Sequence, residues 1–250
     1  MRLSAYLQVE ARARKNSAGA FAGQLQLLDD LLDFYVRFLD LLKFEDRHYT
    51  LLGHFYLVVS DKLCGAASQL LNRRLLDSRA LIRTAIEATG NARLIAGQPE
   101  LREIFLNAYP NVADAGAPNQ FKPTPKFIRT FTTGKTLAGE KAPWPFLRTQ
   151  YAVNSIIGAH AGVGAFIGHA TVEGGVNAVF METDPDKILR DWHAAITTFK
   201  VILEIFFDLV RKCGPGERIS EIELQVGRWW DRASEQVRGA AAGGMERSSA

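Results

Sequence analysis

The sequence predicts an all-α fold, an antiparallel bundle of about seven to eight helices with one long proline-rich loop. Three observations predict it. Apolar residues recur every three or four positions along most of the chain. No stretch shows the strict apolar–polar alternation of a strand. Five of the nine prolines gather between residues 111 and 145, which leaves the rest of the chain free to form long helices.

Composition fits that fold and narrows the function. The chain has 250 residues, 47% of them hydrophobic and 23% charged, which suits one folded domain and excludes a disordered chain. A formal net charge of +3 gives no whole-chain reason to expect nucleic acid. Two cysteines, Cys64 and Cys213, fall short of a disulfide framework or a cysteine-rich zinc site. They favour a reducing, cytoplasmic setting.

The elements follow in order. Residues 4–15 suit a short first helix. From Ala18 to Phe44 the residues Phe21, Leu25, Leu28, Leu32, Tyr35, Leu39 and Leu42 mark one face of a long amphipathic helix. A third helix runs from about Asp46 to Asn72, and a fourth from about Leu75 to Ala96, where Gly97 stops it and Pro99 opens a fifth. Residues 111–145 form the long loop, of the kind that is usually functional. A sixth helix is expected from about Phe146 to Thr171, broken by Gly174–Gly175, with a short extended piece at 176–182. Asp184–Pro185 reads as an N-cap with proline at the first helical position, opening a seventh helix to about Lys212. Its core face is Ile188, Trp192, Ala195, Phe199, Ile202 and Phe206. Ser220, with Glu223 three residues on, reads as a capping box for a last helix to Val237. Residues 1–238 thus make one domain, and 239–250 a disordered tail.

The stretch 149–172 carries no charge and is long enough to span a bilayer. Gln150, Asn154, Ser155, His160 and His169 argue instead for a buried central helix, so no membrane is expected. No secretory signal opens the chain, because Glu10, Arg12, Arg14 and Lys15 interrupt it early. Gly134-Lys135-Thr136 resembles the end of a P-loop, but position 129 is Arg where that motif needs Gly. His160 and His169 lie on opposite helix faces, so they cannot share a metal as neighbours. No metal or cofactor is expected.

Three patterns carry chemistry. Between Phe121 and Arg148 six cations, among them Lys122, Lys126 and Arg129, face one carboxylate, Glu140. Phe121, Phe127, Phe131, Trp144 and Phe146 interleave with them. Cations attract phosphate and rings stack on bases, so this segment suits single-stranded RNA or DNA, or a nucleotide. On the fourth helix Arg79, Arg83, Glu87 and Asn91 step along one face, either solvated or facing a polar cleft. On the sixth, Tyr151, Asn154, Ser155 and His160 stand on an uncharged helix and need polar partners once buried. Economy of partners brings these two helices together, with Arg83, Glu87 and His160 as the candidate catalytic set and Arg79, Asn91, Tyr151, Asn154 and Ser155 as polar support.

The runs SRALIRTAIEATGNARLIAG and YAVNSIIGAHAG together resemble uncharacterised HEPN-like helical families. These share an Arg-x-x-x-Glu on one helix, here Arg83 and Glu87, and a Tyr/Asn/Ser-then-His segment on a later one. The resemblance implies a helical bundle, often dimeric, linked to phage defence or toxin–antitoxin systems. Arg47 and His54 match the spacing of the HEPN ribonuclease pair, but a chain this rich in arginine offers such a match by chance, and no ribonuclease is assigned from it. The expected function is therefore a defence- or stress-associated module engaging nucleic acid or nucleotide, with catalysis open. The alternatives are a non-catalytic interaction protein, working as a homodimer or with a partner through Trp229 and Trp230, and a small-molecule sensor.

Overall fold

The computed structural model describes residues 3–42, 47–108, 124–155, 170–171, 177–178, 181–213 and 217–247. It is all-α. Helices α1 (Leu3–Ala20), α2 (Ala22–Leu41), α3 (Arg47–Leu71), α4 (Leu75–Gly97) and α5 (Pro99–Asn107) are followed by short α6 (Pro125–Thr130) and α7 (Thr133–Thr136), then α8 (Trp144–Asn154), α9 (Pro185–Cys213) and α10 (Glu217–Arg247). One two-residue ladder, β1 (Ala170–Thr171) with β2 (Asn177–Ala178), pairs antiparallel.

The core is aromatic, and its two buried tyrosines are satisfied, whereas the Trp192 indole N–H and the Ser78 and Thr198 hydroxyls have no partner. Tyr35 stacks on Tyr56 at 5.3 Å, and Phe38, Phe206 and Phe207 pack edge-on around them. The Tyr35 hydroxyl donates to the Phe199 carbonyl at 2.8 Å, and that of Tyr56 to the Tyr35 carbonyl at 2.7 Å. Burial raises both phenol pKa values, so both phenols stay protonated. Each such ring contributes roughly 1.5–3 kcal/mol by leaving water. All six expected core positions of α9 are buried, from Ile188 to Phe206. Asp184 caps this helix as expected, accepting from the Asp186 amide at 2.9 Å.

The α3–α4 hairpin positions the site. Arg73 turns the chain at φ 59°, a left-handed conformation usually left to glycine. Gly65 lets the two helices close: a Cβ there would meet Leu81 Cδ1 at 3.1 Å. Pro99 opens α5 as expected.

Several boundaries differ from expectation. The break between the first two helices falls at Phe21, which is buried, so α1 is longer than expected. The 111–145 loop is not wholly irregular, since Thr124 caps α6 by accepting from the Phe127 amide at 3.1 Å, and α7 follows. Residues 170–171 are strand, not the end of a helix. The last helix starts at Glu217, so Ser220 lies inside it and is no cap; it continues to Arg247, past the expected tail boundary. The central helix is α9. The described part of the uncharged stretch buries Asn154 and Ser155 but exposes Thr149, Ala152 and Val153. No helix among the described residues is long and apolar enough to cross a membrane.

Candidate functional site

Helix α4 carries the polar stripe, and the structure divides it between two neighbours. At its N-terminal end Arg79 forks onto Asp191 of α9, Nε to Oδ2 at 2.8 Å and Nη2 to Oδ1 at 2.6 Å. Burial pushes the Asp191 carboxyl above its ordinary range, and the Arg79 guanidinium offsets only part of that. This pair is a cross-tie between helices.

One turn on, Arg83 faces α8. Its Nη2 donates to Glu87 Oε1 and to the Tyr151 hydroxyl, both at 3.1 Å. The Tyr151 hydroxyl donates to the same Glu87 oxygen at 2.9 Å. Three polar atoms thus sit at the corners of a near-equilateral triangle. The Arg83 guanidinium also lies over the Tyr151 ring, 5.2 Å from its centre. Thr133, at the start of α7, adds its hydroxyl at 3.2 Å from the Tyr151 oxygen. Burial disfavours the Arg83 charge, but Tyr151 and Glu87 together outweigh it and raise its pKa, so Arg83 stays cationic. Side-chain exposures of 25% for Arg83 and 37% for Glu87 leave this cluster open to solvent on one side.

The expected pairing of helices therefore holds for α4 and α8, with Tyr151 as the contact. His160 lies outside the described residues. Asn91 is half-buried a turn beyond Glu87. Asn154 turns back on its own helix, its amide donating to the Gln150 carbonyl at 2.7 Å, and the buried Ser155 hydroxyl has no partner. Neither joins the cluster. Thr133 was not expected there, because nothing in its sequence neighbourhood marks it. Asp191 had a legible signal: an acid between Ile188 and Ala195 on the buried face of α9 needs a cation. Among the described residues no group of His, Cys, Asp and Glu could hold a metal ion.

The basic-aromatic segment separates into its two components. Phe121 and Lys122 lie outside the described residues. Phe127 packs on Phe131 at 4.8 Å and on Phe105 at 5.8 Å, turned toward the core rather than presented to bases. Trp144 is covered by the Arg93 guanidinium 4.2 Å from its ring. Lys126, Arg129, Lys135, Lys141 and Arg148 are all exposed. Among the described residues none of these five forms an ion pair. Arg93 and Arg148 donate to consecutive carbonyls, Ala138 at 3.1 Å and Gly139 at 3.2 Å, which ties the cations of this knuckle to α4.

Trp229 and Trp230 are also accounted for within the chain. Trp229 is 4% exposed, packs on Phe34 at 5.9 Å and donates its indole N–H to Asp30 at 3.1 Å. Lys200 lies over the Trp230 ring at 5.1 Å. Their apolar load docks on their own core, which removes the motive for an interface there.

No known family model, curated protein or solved structure matches this chain.

Proposed function

We propose that the protein is a helical module that binds single-stranded nucleic acid by its phosphate backbone, in the cytoplasmic setting that its cysteine usage favours and with the defence- or stress-associated role that its HEPN-like resemblance implies. The observation that supports this reading is the set of five exposed cations between Lys126 and Arg148, none of them neutralised by a described carboxylate. Natural surfaces intersperse charges of both signs. A segment whose five exposed cations face one exposed carboxylate, Glu140, and form no ion pair among the described residues is poised for an anion. Because Phe127, Phe131 and Trp144 are engaged inside the fold, the binding mode is electrostatic, with little base stacking.

That reading fixes the test. Four or so neutralised phosphates on a single strand give a slope near −3 in log affinity against log salt, so going from 50 to 200 mM weakens binding roughly 50-fold. Titration of labelled single-stranded RNA and DNA should show that loss with little dependence on sequence. Lys126→Glu with Arg129→Glu and Lys135→Glu should abolish binding at the higher salt. Affinity unchanged by the triple variant refutes the reading.

A further inference from the structure

We propose that Thr133 is a nucleophile for phosphoryl transfer, primed by a Thr133–Tyr151–Glu87 hydrogen-bond relay that Arg83 braces. The argument is a count of protons. A phenol has one proton and two lone pairs, a carboxylate only accepts, and a guanidinium only donates. The Tyr151 proton therefore lies on the 2.9 Å bond to Glu87, and the 3.1 Å bond from Arg83 takes one phenol lone pair. Thr133, 3.2 Å away, reaches the phenol oxygen only as a donor. Its proton points into the relay, and its lone pairs point elsewhere. A hydroxyl hydrogen-bonded to a base that a third group orients is the arrangement from which nucleophilic catalysis starts.

The relay is balanced. As Thr133 Oγ1 bonds to phosphorus, its proton passes to Tyr151 and the phenol proton passes to Glu87 Oε1. The bond from phosphorus to the leaving oxygen breaks on the opposite face, that oxygen takes a proton from solvent water, and Glu87 on the open side of the cluster returns its proton to solvent. Beyond solvent protons no other reactant is needed. Arg83, bonded to the phenol oxygen and lying over the ring, stabilises the phenolate character that develops in between. Two of the three elements are held together from behind: Gly90 brings α4 so close to α7 that a Cβ there would fall 2.9 Å from Thr136 Cβ. Lys135 and Arg148, both exposed, lie two residues after Thr133 and three before Tyr151 in the chain, and are the cations that the unreacting oxygens of a phosphate ester or anhydride would use. The choice of a phosphoryl over an acyl substrate rests on the polyanion reading above; the primed hydroxyl does not.

The test uses the full chain and a neutral fluorophosphonate, with intact-mass and peptide mapping. Attack forms Oγ1–P and breaks P–F, releasing fluoride. The expected result is a single adduct on Thr133. Thr133→Ser should label and Thr133→Val should not, while Tyr151→Phe and Glu87→Gln should label at least 100-fold more slowly, the loss typical of a missing general base. Thermal midpoints measured alongside separate this from unfolding, and a purely structural cross-tie would leave the labelling rate of a folded Tyr151→Phe protein unchanged. That result, or no adduct on the folded wild-type protein, overturns the proposal. Salt-dependent RNA binding without labelling removes the nucleophile alone; labelling without such binding removes the polyanion reading alone.

Discussion

Arg79 and Arg83 stand one turn apart on the same face of α4, and they meet different surroundings. Arg79 reaches across to the central helix and grips both oxygens of a carboxylate that is only 7% exposed. Arg83 pairs with Glu87 on its own helix, shares the same nitrogen with the Tyr151 hydroxyl of α8, and keeps an open side. Repetition on one helix does not make one site; the neighbour decides. Against α9 the stripe is a buried strut. Against α7 and α8 it is an accessible network with a hydroxyl at its end.

Removing each cation in turn sharpens that contrast most. Arg79→Met strands the Asp191 carboxylate without its counter-charge, and we expect a loss of about 3 kcal/mol in urea unfolding. Replacing both members, Arg79→Met with Asp191→Leu, should restore most of it, because an apolar pair needs no compensation. Arg83→Met removes a partly solvated i,i+4 pair and should cost under about 1 kcal/mol. Equal costs for the two arginines would break the comparison.

The next effect concerns how tightly the open region is built. At Gly90 an added methyl meets the buried Thr136 side chain at 2.9 Å and Leu137 Cδ2 at 3.1 Å, so α7 must move. Overpacking costs about 1–3 kcal/mol, and the better helix propensity of alanine returns about 1. Gly90→Ala should therefore lower stability by about 1 kcal/mol in thermal melts. Gly227→Ala, with nothing within 4 Å of the new atom in the interior of α10, should raise it by a similar amount. If Gly90→Ala is also stabilising, α7 is not clamped against α4.

What the sequence shows, and what it hides, divides along the same line. The long helices were legible because each buries one continuous apolar stripe, and the core face of α9 is complete from Ile188 to Phe206. The meeting of α4 and α8 was legible because the stretch after Arg148 carries no charge, so Tyr151 must borrow partners, and Arg83 with Glu87 offers a cation and an anion. The separate fate of Arg79 was not, since four-residue spacing fixes a face but not the element opposite it. The inward turn of Phe127 was hidden for a related reason: a ring beside lysines is the same string whether it stacks on Phe105 or faces water. Thr133 came from a tertiary approach that no local pattern encodes.

The smallest effect lies on α9 itself and reads out by pH. His193 follows Asp191 by two residues on α9, is half-buried, and its Nε2 has no partner. Burial depresses its pKa below the ordinary 6.5. The unfolded chain then takes up a proton at a pH where the folded protein does not. The stability linked to His193 is fully present above pH 6.5 and is lost as pH falls through the depressed folded value. Asp191 acts in the opposite sense and in a lower window. Its raised carboxyl pKa means that the stability it contributes is present below its ordinary 3.8 and lost as pH rises through the folded value. Urea midpoints of wild type and His193→Gln should therefore run parallel above pH 7 and diverge below 6.5, with the wild type falling faster. The same experiment on Asp191→Asn should show its difference at more acid pH. Curves for wild type and His193→Gln that stay parallel down to pH 5 would show that the imidazole is as well solvated in the folded protein as in the unfolded chain, and that its surroundings on α9 are wetter than its partnerless nitrogen implies.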